Sequence, residues 1–352
     1  MNQYYLPPEW HKQDAIMLTW PHSKTDWASQ LKQVEAVYFE LVAAISQYQK
    51  LVIVCHDTEL KQSVIHKLKG KNIGVEQLIF VIAQSNDTWA RDHGPITLVD
   101  SNSQQIKPLN FTFNAWGDKF SANLDNQINK QLFEQINLTN FQEIDLILEG
   151  GSIEADGNGT LMTTAACLLN TNRNKQLSKF EIEEELLSLL GLDKMLWLTQ
   201  GALAGDDTDA HIDTLARFAP NNQIIYQACD KTDDIHYQPL NDMAQELAEF
   251  KNKQGQAYQL IALPWPDAQY SSCGERLPAT YANFLILNQA VLMPAYGVVQ
   301  DELALTILKK AFPEHDVLAI NCRPIIEQFG SLHCLTMQLP AGYLCNLERK
   351  FK

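Results

Sequence analysis

A recurring order of hairpin, helix and strand is the feature that most constrains the fold of this 352-residue chain. Alternating apolar residues interrupted by Asn, Gly and Asp predict four β-hairpins. The hairpins begin at Ile96, Ser152, Thr214 and Asn283, a spacing of roughly 60 residues. After each hairpin the sequence has helical periodicity and then a short apolar strand. The helices are expected near residues 123–135, 178–190, 241–251 and 301–312.

The two ends of the chain supply a fifth unit. The segments DAIMLTWP and LHCLTMQLP are predicted to pair as a split hairpin, with one extra helix–strand step before the first repeat. Such a pairing would close the repeats into a ring, and no low-complexity linker divides the chain. We therefore predict an α/β fold, a closed propeller-like arrangement of five units, in a single domain over residues 1–352. A doubly wound α/β sheet is the alternative.

The net charge of the chain limits the kinds of molecule that it is expected to bind. Its 27 basic and 42 acidic residues give a net charge of −15, which disfavours nucleic acid and anionic membranes and suits a small cationic substrate. There is neither a membrane-length apolar run nor a basic segment followed by an apolar stretch at the N-terminus, so we expect a cytoplasmic protein. Seven cysteines without a CxxC pair predict neither a disulfide framework nor a zinc finger.

Unusual polar residues occur where each strand leads into the next hairpin. These junctions carry Asp92, Glu149, His211, Asp213 and Cys334. Loops at one end of a repeated scaffold converge, so we expect these side chains to lie together. A thiolate can attack an electrophilic carbon, an imidazole can move protons, and carboxylates can bind a planar cation in pairs of hydrogen bonds. The set therefore predicts chemistry on a guanidinium group.

Each of these residues also has a structural interpretation. Asp92 beside Arg91 can be an ion pair that closes a turn, Glu149 a turn cap, and Cys334 an inert core residue. His333 is not expected to act as the base, because neighbours on a strand face opposite sides. The acidic loop before Thr214 is alternatively a solvated surface or a metal site. The ligands of that metal site would be Asp207, Asp209, His211 and Asp213.

At these motifs the chain resembles the agmatine deiminase family, which is similar to the bacterial-type peptidylarginine deiminases and belongs to the guanidine-modifying superfamily of pentein fold. The resemblance covers nearly the whole chain. It implies a fivefold pseudosymmetric α/β propeller, no metal or organic cofactor, and hydrolysis of agmatine to N-carbamoylputrescine and ammonia in putrescine biosynthesis. The motifs are EWHKQDAIMLTWP, NDTWARDHGP, FNAWG, LEGGSIEADGNGTLMTT, GDDTDAHIDTLARF, LPATYANFLILN, VLMPAYG and GSLHCLTMQLP.

The resemblance also implies a role for each junction residue. Cys334 corresponds to the nucleophile that forms a covalent amidino-thioether intermediate, and His211 to the general acid and base. Glu149 corresponds to the carboxylate that pairs with this histidine. Asp92 and Asp213 correspond to the two carboxylates that clamp the guanidinium group.

Recognition of the substrate tail is less well defined by the sequence. Trp89 and Trp116 are candidates to contact the aliphatic part of the substrate or its cation, with core packing as the alternative. Asp207, with its neighbours Asp206 and Thr208, is a candidate partner for the far amine. The loop FGSLHC is less glycine-rich than is usual in the family, and the loop between Pro264 and Pro278 is short.

Several functions are therefore compatible with the sequence. The leading hypothesis is an agmatine deiminase acting on a small cationic guanidine. The alternatives are a peptidylarginine or other guanidine deiminase, a catalytically silent guanidine- or polyamine-binding protein, and a metal-dependent hydrolase. The sequence does not give the oligomeric state, for which a homodimer is one option.

Overall fold

The structure, a computed structural model, describes residues 3–103 and 105–345. Its strands are Tyr4–Tyr5, Gln13–Thr19, Lys50–Cys55, Leu78–Ile82, Ile96–Asp100, Ile106–Thr112, Gln142–Ile147, Ile153–Ala155, Thr160–Thr164, Lys194–Leu198, Ala216–Ala219, Gln223–Gln227, Gln259–Leu263, Gln269–Tyr270, Arg276–Leu277, Leu285–Ile286, Ala290–Ala295, Asp316–Asn321 and Thr336–Pro340. Its α-helices are Leu31–Ile45, Thr58–Gly70, Ala90–His93, Ala115–Asp118, Ile128–Gln135, Ala165–Leu168, Lys179–Leu190, Tyr237–Glu249 and Gln300–Ala311. Its 3-10 helices are Asp26–Ser29, Asp125–Gln127, Gly150–Ser152, Ile212–Thr214, Ile326–Gln328 and His333–Leu335.

Four sheets repeat one strand topology along the chain. In the first unit, Ile96–Asp100 pairs antiparallel with Ile106–Thr112, which pairs parallel with Gln142–Ile147. The second, third and fourth units have the same hairpin and the same parallel third strand. A parallel neighbour requires a long crossover, and a helix fills it in each unit. The predicted hairpins, helices and strands are thus confirmed.

The fifth unit is split between the two ends of the chain, as predicted. Thr336–Pro340 pairs antiparallel with Gln13–Thr19, which pairs parallel with Lys50–Cys55. Leu78–Ile82 adds a fourth strand to this sheet through the extra helix–strand step. One sheet therefore joins a strand near the start of the described chain to its last strand, while Tyr4–Tyr5 pairs with Ile96–Asp100 of the first unit.

Local sequence explains where the crossover helices begin and end. The second-unit helix starts after Ser178, which exchanges capping hydrogen bonds with Glu181, and it stops at Gly191 in the left-handed conformation. The third-unit helix starts at Tyr237, earlier than predicted. Pro239 lies in its first turn, where a missing N–H costs no helical hydrogen bond.

Short helical turns lead from an apolar strand into the next hairpin at four of the five described junctions. Ala90–His93 packs against Gly150–Ser152 and against His333–Leu335, and Gly150–Ser152 packs against Ile212–Thr214. The junctions of four units therefore meet, as the repeat predicted. Cys334 lies in one of these turns and not in a strand, so the alternation argument about His333 does not apply. Across residues 3–103 and 105–345, no helix is long and apolar enough to cross a bilayer.

Candidate active site

A cavity of about 590 Å³ opens where the junctions meet. Asp92 and Cys334 line it. Asp213 lies 3.9 Å from the Cys334 sulfur, His211 lies 3.6 Å from Asp92, and Glu149 has a ligand atom within 4.8 Å of one in His211. None of these five residues is more than 4% exposed. The residues that line the cavity are Asp26, Asp87, Trp89, Asp92, Trp116, Phe120, Asp207, Thr208, Gln328, Phe329, Gly330 and Cys334. The predicted substrate-binding residues Trp89, Trp116 and Asp207 are among them.

The Cys334 thiol faces this cavity from the turn that precedes the last strand. Its Sγ lies 3.4 Å from Asn283 Oδ1 and 3.9 Å from Asp213 Oδ2. Burial raises the pKa of Cys334 well above its usual range, and the charges of Asp213 and Asp92 act in the same direction. These effects favour the neutral thiol, and a bound cation would favour the thiolate.

This charge environment predicts the reactivity of the thiol. Replacing Asp213 by asparagine removes a negative charge beside Cys334, so the pKa of the thiol should fall. The pH at which the rate of alkylation by iodoacetamide begins to rise should therefore shift downwards. The measurement is the rate of Cys334 modification against pH, followed by peptide mass spectrometry. The exposed Cys273 of the same sample is the internal control. An identical pH profile for Cys334 in the variant would contradict the argument.

Asp92 and Asp213 occupy different electrostatic environments. Asp92 accepts hydrogen bonds from the Trp116 indole at 2.9 Å and from the Gly151 N–H at 3.0 Å, yet burial and the charges of Asp213 and Glu149 raise its pKa. Burial also opposes ionisation of Asp213, but the hydrogen bond with His333 and the neighbouring positive charges together outweigh burial and lower the pKa of Asp213. Without a bound cation Asp213 is thus ionised, whereas the protonated form of Asp92 is favoured. A bound cation would favour the ionised form of Asp92.

The predicted structural alternative for Asp92 is not what the structure contains. The Arg91 guanidinium extends away from Asp92, donating to Gln338 Oε1 at 2.5 Å and lying 3.7 Å from Glu9 Oε2. Asp92 is therefore not neutralised by its neighbour in sequence. The Trp116 indole and the Gly151 N–H hold the Asp92 carboxyl group in place at the cavity wall.

His211 is wholly buried and neutral at rest. Its Nδ1 lies 3.6 Å from Asp92 Oδ1, and neither ring nitrogen has a hydrogen-bond partner within the described part of the chain. Burial lowers the pKa of His211 to about 3, against the opposite effect of the Asp213 charge. A neutral imidazole with a free nitrogen can accept a proton.

Glu149 has a different partner from the one that the resemblance implied. Its carboxylate accepts hydrogen bonds from Arg173 Nε at 2.9 and 3.0 Å. Glu149 and His211 have ligand atoms within 4.8 Å of each other, but no hydrogen bond between them is present among the described residues. Arg173 also donates to Asp209 at 2.6 Å and to the Thr208 carbonyl at 2.9 Å. It ties the second junction to the third, and nothing in its local sequence, NTNRN, pointed to that role.

This buried pair predicts a large effect on stability. Arg173→Ala leaves the Glu149 carboxylate buried without its cation, which typically costs about 3–5 kcal/mol. The measurement is the free energy of unfolding in urea, with Lys175→Ala as the control on the neighbouring loop surface. A loss below about 1 kcal/mol would show that Glu149 takes up a proton instead of requiring Arg173.

Asn283, from the fourth junction, is a site residue that the sequence analysis missed. Its Oδ1 accepts the His333 N–H at 2.9 Å and lies 3.4 Å from both the N–H and the Sγ of Cys334. Its Nδ2 donates to the Asp213 carbonyl at 3.3 Å. The signal was available, because each of the other four junctions supplies a polar side chain and Asn283 begins the remaining hairpin.

The metal site proposed as an alternative is not assembled. Asp209 is paired with Lys119 at 2.9 Å as well as with Arg173. Among the residues described, metal-ligand atoms converge in two other groups, Glu149 with Cys167 and His211, and Glu9 with Glu154 and His333. Arginine side chains already pair with the glutamates of both groups. The acidic loop is therefore part of an ion-pair network.

Two glycines allow the cavity wall to pack closely. A Cβ at Gly151 would lie 2.6 Å from His211 Nδ1 and 2.8 Å from Asp92 Oδ1. A Cβ at Gly330, in the loop FGSLHC, would lie 2.2 Å from the Trp89 ring. Trp116 itself has φ 57°, a strained conformation for a bulky residue, and its indole reaches Asp92 from there. The two tryptophans thus form the wall around the carboxylate.

The mouth of the cavity is acidic. Asp26, Asp87 and Asp207 line it together with the half-exposed Phe120. Burial raises the pKa of Asp87 to about 6, and burial together with the charge of Asp206 raises the pKa of Asp207 to about 7. A cation at the mouth would favour the ionised form of both groups.

Comparison with known proteins identifies the class to which this fold and site belong. Residues 5–340 match the family described as Porphyromonas-type peptidyl-arginine deiminase. The chain belongs to this family.

Individual relatives match over nearly their full lengths. A putative agmatine deiminase of Legionella pneumophila (strain Paris) is 32% identical over 343 residues, covering 97% of this chain and 96% of the relative. An agmatine deiminase of C. jejuni, solved as a cysteine-to-serine variant with substrate bound, is 39% identical, with a TM-score of 0.88 and 96% of each chain covered. A putative arginine deiminase of Porphyromonas gingivalis is 43% identical, with a TM-score of 0.89 and coverage of 97% and 99%. The resemblance inferred from the motifs is confirmed.

Proposed function

We propose that this protein is an agmatine deiminase, which hydrolyses agmatine to N-carbamoylputrescine and ammonia. The observation that carries the proposal is a buried thiol, Cys334, in one cavity with Asp92 and 3.9 Å from Asp213. Two carboxylates on either side of a guanidinium group can orient its planar carbon towards the sulfur. The family, and relatives named agmatine deiminases, support the same assignment.

The resting protonation states support a defined sequence of proton transfers. With the guanidinium held by Asp92 and Asp213, the thiol proton passes to neutral His211, and the thiolate forms a bond to the guanidinium carbon. His211 returns that proton to the departing nitrogen, the C–N bond breaks, and ammonia leaves an amidino-thioether on Cys334. Water then attacks the same carbon while His211 accepts its proton. As the C–S bond breaks, the sulfur takes up the proton from His211. The carbonyl of the ureido product forms with loss of its hydroxyl proton to solvent.

Glu149 is proposed to act on this sequence through charge. Its carboxylate lies near His211 and is held in place by two hydrogen bonds from Arg173 Nε. An imidazolium formed during the reaction would gain a nearby negative charge without a direct hydrogen bond at rest. Glu149 would thereby stabilise the protonated histidine.

The cavity mouth supports a substrate with a second positive charge. Agmatine carries an amine at the far end from its guanidinium group, and Asp207, Asp87 and Asp26 lie at the mouth. A blocked peptidyl-arginine lacks that charge. Trp89 and Trp116 would flank the aliphatic chain between the two charged ends.

We also propose that the five units close into a fivefold pseudosymmetric α/β propeller that forms one catalytic domain over residues 1–352. The shared sheet of Gln13–Thr19 and Thr336–Pro340 supports closure, because it joins the fifth unit across the chain ends. A cytoplasmic location suits a small-molecule substrate of this kind.

The decisive experiment is a substrate panel with purified protein. Agmatine, free arginine and a blocked peptidyl-arginine are compared by ureido-product formation and ammonia release. Agmatine should have the highest kcat/KM, and Asp207→Asn should raise the KM for agmatine several-fold while changing kcat little. A higher kcat/KM for the peptide would assign a peptidylarginine deiminase instead. No product from any of the three would refute the deiminase assignment.

A further inference from the structure

The imidazole of His333 lies between two buried carboxylates. Its Nδ1 is 2.7 Å from Asp213 Oδ2, and its Nε2 is 2.6 Å from Glu9 Oε2. Ionised carboxylates only accept hydrogen bonds, and a neutral imidazole has a single N–H to donate. Two contacts this short therefore require a proton on each ring nitrogen, or a proton on one of the carboxyl groups.

The charges around the ring indicate where the extra proton resides. Arg217 pairs with Glu9 at 2.6 Å and also pairs with Glu154, while Arg91 lies 3.7 Å from Glu9. The cluster thus contains three carboxyl groups and two guanidinium groups, all of them buried. They belong to Glu9, Glu154 and Asp213, and to Arg91 and Arg217. A buried cluster is most stable when its charges balance. Two protons on His333 supply the missing positive charge.

The arrangement leaves one oxygen of Asp213 available. Its Oδ2 is bound to His333, whereas Oδ1 is buried without a hydrogen-bond partner among the described residues. A carboxylate held by one oxygen presents the other in a fixed direction. In the proposed reaction that free oxygen would accept a guanidinium N–H.

We infer that His333 is a doubly protonated positioning residue, anchored by Glu9, that keeps Asp213 ionised and aimed at the guanidinium of the substrate. This inference rests on the proposed function, because the role of Asp213 as a guanidinium clamp belongs to it. Both ring nitrogens of His333 are engaged by carboxylates, so neither is free to contact the substrate. Glu9 lines a second cavity of about 500 Å³ together with Arg91 and Glu154. Both residues therefore act through Asp213 and not by contact with the substrate.

The test uses His333→Gln, which can still donate one hydrogen bond but cannot carry the charge. Binding of agmatine is measured by calorimetry in a Cys334→Ser background at pH 6 and pH 8.5. Loss of the neighbouring positive charge raises the pKa of Asp213, so its ionised form is lost first at low pH. We expect affinity to fall at least tenfold at pH 6 and less at pH 8.5. In the active enzyme, KM should rise more than kcat falls.

A matched control variant separates this effect from general damage to the core. His236 is also buried and lies 2.6 Å from an aspartate, Asp234, outside the substrate cavity. His236→Gln should leave the pH dependence of agmatine affinity as in the parent. Equal behaviour of the His333 and His236 variants would overturn the inference.

A second measurement does not depend on activity. Nitrogen-15 shifts of the His333 ring, assigned by comparison with His333→Gln, should be those of an imidazolium at neutral pH. A bare ring nitrogen would overturn the inference whatever the activity of the enzyme. An imidazolium signal in a protein that neither binds nor turns over agmatine would instead refute the proposed function and leave the charge assignment of His333 standing.

Discussion

Cys334→Ala is expected to lower agmatine turnover at least about a thousandfold, as is usual for a member of a catalytic unit. Without the sulfur no amidino-thioether can form, and the remaining carboxylates only bind the substrate. The measurement is the steady-state rate of ureido-product formation. Mass spectrometry of quenched wild-type enzyme should also detect a Cys334 adduct equal to agmatine less ammonia.

The chain offers a matched control for this variant. Cys55 is equally buried but lies at the end of the strand Lys50–Cys55, away from the cavity. Cys55→Ala should retain turnover close to that of the wild type. Cys334→Ser should lose turnover but still bind agmatine, because Asp92 and Asp213 are intact. Near-normal turnover of Cys334→Ala would remove the thiol from the mechanism.

His211→Ala should reduce turnover by a similar factor, at least about a thousandfold. Burial keeps the imidazole neutral, with a pKa of about 3, so it enters the reaction without the extra proton. The variant loses both the acid for ammonia release and the base for water attack. Rapid-quench kinetics will show which of the two steps suffers more, because a slower second step makes the Cys334 adduct accumulate.

A histidine outside the cavity serves as the comparison. His315 is partly buried beside Phe312 and has no contact with the site residues described above. His315→Ala should keep its turnover within a few-fold of the wild type. If His211→Ala turned over agmatine at a comparable rate, the general acid and base would have to be another group.

Much of the fold could be predicted from the sequence because local signals repeat. Period-2 alternation around Asn, Asp and Gly turns specified the hairpins, and period-3.6 segments specified the crossover helices. The pairing of DAIMLTWP with LHCLTMQLP was predicted although the two segments are far apart in the sequence. Four complete hairpins left these two terminal strands without a partner, and together they make the fifth hairpin. The third-unit helix began early since Pro239 can occupy a first turn as well as precede a helix.

The candidate site was predicted in part for the same reason. Equivalent junctions of a repeated unit converge, so Asp92, Glu149, His211, Asp213 and Cys334 could be grouped by their positions alone. The resemblance to a known family gave them roles, which the assays above will test. Charged or reactive side chains are rare directly after an apolar strand, and this marked these residues as candidates for the site.

The partners of these side chains were decided only by the tertiary structure. Nothing in the sequence indicated that Glu149 would pair with Arg173, or that Asp213 would be bound to His333. Arg91, adjacent to Asp92, contacts Glu9 from the other end of the sequence. Ion pairs and hydrogen bonds depend on distances of a few ångströms between segments far apart in the chain, and residue type and spacing do not encode these distances.

The sequence by itself therefore determined the repeat, the pairing of the chain ends and the types of group brought to the cavity. The tertiary structure decided which of these groups are charged. Burial keeps the Cys334 thiol and the His211 imidazole neutral, whereas the hydrogen bond with His333 and the neighbouring positive charges keep Asp213 ionised. Protonation follows from desolvation and from neighbouring charges, and both exist only once the chain has folded.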